Sequence, residues 1–273
     1  MSHTKAIAQV EELLDRIGKP LKPYLPIIAR FLLVVTFLED SVRMCTQYSD
    51  QKFYLRKHRG FATYMADVFL ITNVSIMVAC SCLAIAKRHT EVAVAGLFSV
   101  VLMQGFGYGL IFESSFLLRA LSITGGLVML LADAMSGKSK KSIFAGIPQL
   151  NDENMQSTYL QLFGRILLVF LFMSFIFAGE MTIARGIVAL IAFVGCVMVV
   201  IGFKAKWSAG MLILFLSISN VVLNNWWSLH HLHPQRDFQR YDFFQNLSIM
   251  GGFLLLVNMG PGGLSMDEKK KNF

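Results

Sequence analysis

Eight apolar stretches, each close to the length of a membrane span, divide this sequence of 273 residues. A helix that crosses a bilayer needs about 20 consecutive, mainly apolar residues. Hydrophobic residues make up 55% of the chain and charged residues 15%, and the mean hydropathy is +0.57. We therefore predict an all-α polytopic membrane bundle of about eight transmembrane helices, at residues 24–47, 62–86, 92–112, 115–134, 159–178, 182–202, 207–228 and 241–259.

Two pairs of similar segments indicate an internal duplication. "ARFLLVVTFLED" at 29–40 is similar to "GRILLVFLFMSF" at 164–175, and "LSITGGLVMLL" at 121–131 is similar to "LSIMGGFLLLV" at 247–257. Leu-rich helices also resemble one another by chance, but here the Gly-Gly pair recurs in the same place. Because a unit of four helices returns the chain to its starting side, the sequence predicts two parallel four-helix repeats.

The distribution of basic residues predicts the orientation. Fourteen Lys and Arg residues fall on the side of the N-terminus and seven fall in the opposite loops, which favours cytosolic termini. The formal net charge of +8 forms no contiguous basic face, so membrane lipids rather than nucleic acid are the expected partners. The predicted segments are a cytosolic N-terminal segment at 1–23, a first repeat at 24–134, a cytosolic linker at 135–158, a second repeat at 159–260 and a cytosolic tail at 261–273.

The tail "MDEKKKNF" carries a candidate address. With a cytosolic C-terminus, Lys270 and Lys271 have the K-K-x-x spacing of a dilysine retrieval signal, which a receptor reads. The alternative is a polybasic segment that attracts anionic lipids, at about 1 kcal/mol per residue. Only a retrieval signal requires the two lysines to occupy the fourth and third positions from the end of the chain. We therefore predict a retrieval signal.

Five segments resemble the surfeit locus protein four family: "FLEDSVRM" at 37–44, "SIFAGIP" at 142–148, "IGFKAK" at 201–206, "YDFFQ" at 241–245 and "GPGGLSMDEKKK" at 260–271. The resemblance implies a cargo receptor that binds soluble secretory proteins in the lumen of the endoplasmic reticulum. It also implies export in COPII vesicles and return through COPI, with Lys270 and Lys271 matching the family's return signal. The implied location is the endoplasmic reticulum membrane, the ER-Golgi intermediate compartment and the early Golgi.

Charged residues inside a predicted span are candidates for a lumenal cargo site. Glu39, Asp40 and Arg43 share one helix face, because residues three and four apart lie side by side. These charges either neutralise one another or leave one carboxylate free to hold a peptide amine or polar backbone. The sequence leaves both alternatives open.

The last predicted hairpin supplies the other half of the candidate site. Trp226, Tyr241 and Asp242 lie at its lumenal side. Tryptophans at this depth commonly form an interface belt, but an aromatic wall beside acids would also suit an apolar peptide signal. We therefore predict that a cargo signal enters between the two repeats and contacts this region together with the charged face of the first span.

Three histidines between the last two spans are candidates for pH sensing, because unperturbed histidine titrates near pH 6.5 and the Golgi is more acidic than the endoplasmic reticulum. They are His230, His231 and His233. Their spacing lacks the helical pair typical of a zinc site, and no metal site is predicted. Gly105 and Gly109 form a GxxxG motif that predicts close helix packing.

The motifs predict no enzyme and no cofactor, since the chain has neither a Walker motif nor a nucleophile elbow. A cargo receptor is the favoured function. A membrane transporter or lipid-handling protein of the endoplasmic reticulum is the alternative, because parallel repeats and intramembrane charges also occur there. The sequence allows a homo-oligomer without predicting one.

Overall fold

The computed structural model describes residues 23–144, 151–177, 183–230, 233, 235–260, 262 and 265–266. Within these ranges the chain forms nine α-helices and no strand. A short 3-10 helix at Trp226–Ser228 precedes the last of them. The helices are α1 Leu25–Thr46, α2 Tyr48–Arg59, α3 Thr63–Ile85, α4 Thr90–Tyr108, α5 Ser114–Phe144, α6 Asn151–Phe177, α7 Ile183–Ile201, α8 Ala205–Leu223 and α9 Gln235–Met259.

Each predicted apolar stretch coincides, apart from its ends, with one long helix. Four segments within the described residues are long and apolar enough to cross a membrane: Thr63–Ile85, Thr90–Tyr108, Phe116–Ser136 and Ala205–Ser228. Helices α1 and α9 each carry four charged residues, which lowers their hydropathy. The predicted all-α polytopic membrane fold is confirmed, whereas the remaining four spans stay predictions.

Helix α1 is long enough for a span. Pro26 lies in its first turn, where its fixed φ favours helix initiation and its missing N–H removes no bond. The 22 residues of the helix extend about 33 Å, compared with a hydrocarbon core about 30 Å thick. The charged residues Glu39 and Asp40 therefore lie within the last third of the helix.

Helix α2 occupies a polar segment that we predicted as an outer loop. Its one buried residue is Leu55, and it ends at Gly60, which has a φ of 71°. The amides of Gly60 and Phe61 both donate to the carbonyl of Leu55, the second over 3.2 Å, and these bonds close the end of α2. A residue with a side chain would be strained at Gly60, so the glycine fixes where α2 stops.

The two Gly-Gly pairs lie where helices approach most closely. A Cβ added to Gly251 in α9 would lie 2.5 Å from the amide nitrogen of Leu33 in α1. A Cβ added to Gly125 in α5 would lie 2.8 Å from the amide nitrogen of Leu168 in α6. Leu33 and Leu168 occupy matching positions in the two similar segments. The packing of α9 on α1 thus repeats the packing of α5 on α6.

The two halves also share an unusual turn. Lys87 and His89 have positive φ in the turn from α3 to α4, and Gly202 and Lys204 have positive φ in the turn from α7 to α8. In both turns the two left-handed residues are separated by one residue, and the next helix begins directly after the second. This recurrence supports the proposed division into repeats at 24–134 and 159–260.

We expect Gly251→Ala to destabilise the bundle by about 1–3 kcal/mol, because the new methyl group would meet the backbone of α1, which cannot rotate away. Gly210→Ala is the matched control: a Cβ there has nothing within 4 Å, and alanine favours a helix. Thermal unfolding in detergent compares the two variants. Equal stability of both would contradict the proposed close contact.

Candidate functional site

A cavity of about 560 Å³ opens at the end of the bundle that we predict to face the lumen. Helices α1, α2, α4, α5 and α9 contribute to its walls, so both halves of the chain line it. Four carboxylates and two guanidinium groups make its lining net negative. These charged residues are Asp40, Arg43, Asp50, Glu113, Arg119 and Asp237.

Asp40 lies at the centre of the polar wall. Its side chain is buried and receives hydrogen bonds from Arg43, one turn further along α1, and from the amide of Gln104 on α4. The guanidinium carbon of Arg43 lies 5.1 Å from the centre of the Tyr241 ring, a cation–π contact between α1 and α9. The structure therefore brings Asp40, Arg43 and Tyr241 together at the cavity.

The side chain of Glu39 lies against α9, whereas that of Asp40 lines the cavity. Its carboxylate is buried, and Oε1 lies 3.1 Å from Nε of Arg240 on α9, which is within ion-pair distance. Neither carboxylate oxygen has a hydrogen bond, and Glu39 does not line the cavity. Two of the three predicted charges of α1 thus face the cavity, and the third lies against α9.

Trp226 and Asp242 stand behind the cavity wall. The guanidinium carbons of Arg236 and Arg240 each lie 5.5 Å from the Trp226 ring. Asp242 forms an ion pair with Arg119, which joins α9 to α5. Neither Trp226 nor Asp242 lines the cavity. Asp242 contacts Arg119, which lines it, and Trp226 contacts Arg240, which lies within ion-pair distance of Glu39.

Helix α2 forms part of the cavity wall. The Tyr48 hydroxyl donates to Oδ1 of Asp67 on α3 over 2.6 Å, and this bond raises the pKa of Tyr48. Lys52 Nζ lies 2.7 Å from the same carboxylate. At the other end of α2, Arg59 donates to the carbonyl of Gly107 over 3.1 Å. These bonds hold α2 against α3 and α4.

The remaining predicted residues lie away from the cavity lining or outside the described residues. His230 and His233 are exposed, and the ring of His233 accepts a hydrogen bond from the Gln235 amide over 3.2 Å. Lys270, Lys271 and His231 lie outside the described residues. No group of three or more His, Cys, Asp or Glu side chains that could hold a metal occurs in the ranges the structure describes.

The predicted GxxxG glycines are both in crowded places. A Cβ on Gly105 would lie 3.1 Å from Ile111, and one on Gly109 would lie 2.4 Å from the guanidinium of Arg59. The intervening Gly107 admits the Phe69 ring of the neighbouring helix α3, at 2.4 Å from its would-be Cβ. Direct helix–helix contact is therefore seen at Gly107, and the role of the motif as a packing surface stays a prediction.

Several lining residues were not predicted. Arg119 lies inside the apolar stretch 115–134, so the rule that singled out Glu39 would also have found it. Gln104 and Tyr108 carried no such signal, because uncharged polar residues are common in spans. Tyr108 donates to the side chain of Gln51 over 2.7 Å, a contact that depends on the unpredicted helix α2.

Comparisons with known proteins identify the family. The SURF4 family model matches residues 4–273. The surfeit locus protein 4 homolog of Schizosaccharomyces pombe is 42% identical over 254 residues, which cover 92% of this chain and 83% of that protein. The Drosophila melanogaster homolog of the same name is 38% identical over 267 residues, which cover 98% and 97% of the two chains.

A third relative is the ER-derived vesicles protein ERV29 of Saccharomyces cerevisiae. It is 40% identical over 274 aligned positions, which cover 99% of this chain and 85% of ERV29. No solved structure matches the chain. The match over nearly the whole length, together with the all-α membrane fold, shows that this chain belongs to the SURF4 family.

Proposed function

We propose that this chain is a cargo receptor that binds soluble secretory proteins in the lumen of the endoplasmic reticulum and promotes their COPII-dependent export to the Golgi. It recycles by COPI through Lys270 and Lys271, and it resides in the endoplasmic reticulum membrane, the intermediate compartment and the early Golgi. Membership of the SURF4 family and the similarity to the ER-derived vesicles protein of yeast support this proposal. The observation that carries it is the acid-rich cavity between the two halves.

The cavity combines two kinds of interaction that suit a short peptide signal. Apolar side chains gain roughly 25 cal/mol per Å² of surface removed from water. The excess of carboxylates favours a cationic group, and in a site with little water that attraction is stronger than at an open surface. A small cavity of this kind gives modest affinity, which suits a receptor that must release its load.

The six predicted site residues have two kinds of role in this proposal. Those at the lining contact the cargo signal, and those behind it hold the lining in place through arginines of α5 and α9. The contacting residues are Asp40, Arg43 and Tyr241, and the supporting residues are Glu39, Trp226 and Asp242.

A membrane transporter or lipid-handling protein is the alternative, because a charged cavity between repeats also suits a small solute. The proposal includes no catalysis and no cofactor. Cross-linking from the lumenal face, followed by secretion assays after depletion, separates the two functions. Recovery of soluble secretory proteins whose export slows supports the receptor, whereas solute flux with unchanged secretion supports a transporter.

We expect Asp40→Asn to lower the recovery of cross-linked cargo about ten-fold, because one charge-assisted hydrogen bond contributes roughly 1.5–3 kcal/mol. Asparagine keeps an oxygen for Arg43 and so preserves the local structure better than alanine. Glu39→Gln should cause a smaller loss, because Glu39 acts through Arg240. Immunoprecipitation of cross-linked cargo measures both effects.

Glu91→Gln is the control for these variants. Glu91 lies at the start of α4, at the opposite end of that helix from the cavity-lining Tyr108, so its variant should capture cargo normally. All variants should reach wild-type expression. Normal cargo capture by Asp40→Asn would place the cargo site elsewhere.

Replacing Lys270 and Lys271 together by Ser should move the protein forward to the Golgi, because the coat that returns it would no longer recognise the tail. Stability should be unchanged, since the tail lies beyond the last helix. The matched control replaces the lysine pair Lys140 and Lys141, which we predict to be cytosolic but far from the end. Quantitative immunofluorescence compares the two, and identical distributions would contradict a retrieval signal.

We propose that His230, His231 and His233 weaken cargo binding at the lower pH of the Golgi. In the sequence they precede the first turn of α9, which carries the cavity residue Asp237. We expect a two- to five-fold lower affinity at about pH 6.2 than at about pH 7.2 in the wild type, and no such change in a variant with all three replaced by Asn. Equal affinity at the two pH values in the wild type would remove this role.

A further inference from the structure

The connections of helix α2 place it at the surface of the membrane. Gln47 alone separates it from α1, and three residues, 60–62, separate it from α3. Helix α3 is long and apolar enough to cross the bilayer, and we predict that α1 crosses it too. The 12 residues of α2 are mainly polar and extend about 18 Å. A polar helix tied this closely to the ends of two spans lies at the level of the lipid headgroups, because the apolar interior would leave its charges without water.

A stripe of exposed side chains shows which side of α3 faces the lipid. Tyr64, Val68 and Ile71 are spaced by four and three residues, so they share one helix face, and their exposed fractions are 76%, 43% and 59%. Tyr64 begins this stripe at the end of α3 that meets α2. Asp67, which bonds to Lys52 of α2, lies three residues from Tyr64 on the adjoining face. Helix α2 therefore crosses α3 beside its lipid-facing side.

The outer face of α2, formed by Phe53, Arg56 and Lys57, combines an aromatic ring with positive charge. Phe53 is 61% exposed, and Nζ of Lys57, one turn further along, lies 5.2 Å from the centre of its ring. Arg56 follows Lys52 by one turn, so it lies on the side of α2 that adjoins α3. Arg56 and Lys57 are both exposed. Exposed aromatic rings beside lysine and arginine are typical of helices that lie in the membrane interface.

A different side of α2 belongs to the cavity. The residues of α2 that line the cavity are Asp50, Gln51 and Tyr54. The three residues of the outer face do not line it. The bonds from α2 to Asp67 and to the Gly107 carbonyl hold the helix in one orientation. One short helix thus presents one surface to the cavity and a second surface to the edge of the bundle.

We propose that the outer face of α2 is a binding surface for phospholipid headgroups, in the leaflet that we predict to be lumenal. The ring of Phe53 enters the boundary between the headgroups and the acyl chains. Arg56 and Lys57 bind lipid phosphates, the arginine through two oxygens at once and the lysine as a point charge. The proposal does not depend on the cargo function, because it requires only that α2 lies at the membrane surface.

The position of the aromatic ring favours lipid over a protein partner. An acidic protein segment in the lumen would also complement the charges of Arg56 and Lys57. Such a segment does not account for an exposed aromatic ring beside the lipid-facing stripe of α3, whereas the membrane interface accounts for the ring and the charges together.

Fluorescence quenching by brominated phospholipids tests where Phe53 lies. The full chain with Phe53→Trp is reconstituted in phosphatidylcholine vesicles, and the fluorescence gained over the wild type, which has three tryptophans, reports on this position. Phospholipids brominated near the headgroup end of their acyl chains should quench the added fluorescence, and aqueous acrylamide should quench it only weakly. Tyr54→Trp is the matched control on the cavity side, where acrylamide should quench and brominated lipid should not.

The role of the basic residues is tested with anionic lipid. Brominated phosphatidylglycerol, as a minor component of the vesicles, should quench the Phe53→Trp chain about two- to five-fold more strongly than brominated phosphatidylcholine at the same fraction. Adding Arg56→Gln and Lys57→Gln should abolish this difference. Adding Lys87→Gln and Arg88→Gln instead is the matched control, because it removes the same charge beyond the other end of α3 and should leave the difference unchanged.

Native mass spectrometry gives a second readout that needs no added tryptophan. The wild type should retain more phosphatidylglycerol than phosphatidylcholine when both are supplied equally. The chain with Arg56→Gln and Lys57→Gln should lose this preference. Because both side chains are exposed, the variant should unfold at the same temperature as the wild type.

Two results would each overturn the proposal. Quenching of the Phe53→Trp chain by acrylamide and not by brominated lipid would place the outer face of α2 in the lumen, where an acidic protein segment is the fitting partner. Equal quenching by the two brominated lipids, unchanged by Arg56→Gln and Lys57→Gln, would show that these residues do not bind the headgroups.

Discussion

The close approach of α9 to α1 and of α5 to α6 is the contact on which the rest of the structure depends. In a membrane the lipid tails are as apolar as the helix surfaces, so helices associate where small residues allow dense packing. Gly125 and Gly251 allow it by placing their backbones against those of α6 and α1. Their neighbours Gly126 and Gly252 meet in the middle, where a Cβ on Gly252 would lie 3.2 Å from Cα of Gly126. These glycine contacts join the two halves of the chain at the centre of the bundle.

The halves share their packing but differ in charge. The first half carries Glu39 and Asp40, whereas the matching residues of the second half are Ser174 and Phe175. Asp133 likewise corresponds to Met259. A duplicated bundle needs its glycines and leucines in both copies, because every helix must pack. Charges are not needed for that packing, so the two halves can carry them at different positions, and the two ends of the bundle acquire different chemistry.

The sequence predicted what depends on local pattern and on length. The long apolar stretches predicted the helices, the repeated Gly-Gly pair indicated the duplication, and the charges within the first span indicated the end of the bundle at which Asp40 and Arg43 line the cavity. Three features were not predictable in this way. Helix α2 is short and polar, and it is held by bonds to Asp67 and to the Gly107 carbonyl that only the folded chain provides. The contribution of Gln104, and the separate direction of Glu39, depend on which helices are neighbours.

The glycine contact lies between the cavity and the Arg30–Asp133 ion pair, and this position has a mechanical consequence. In α5, Arg119 lies about 9 Å from Gly125 towards the cavity, and Asp133 lies about 12 Å away in the other direction. The glycines therefore have the position of a fulcrum. A tilt of one half against the other about this point would widen one end of the bundle and narrow the other, so a wider cavity mouth would be coupled to closer packing at the opposite end.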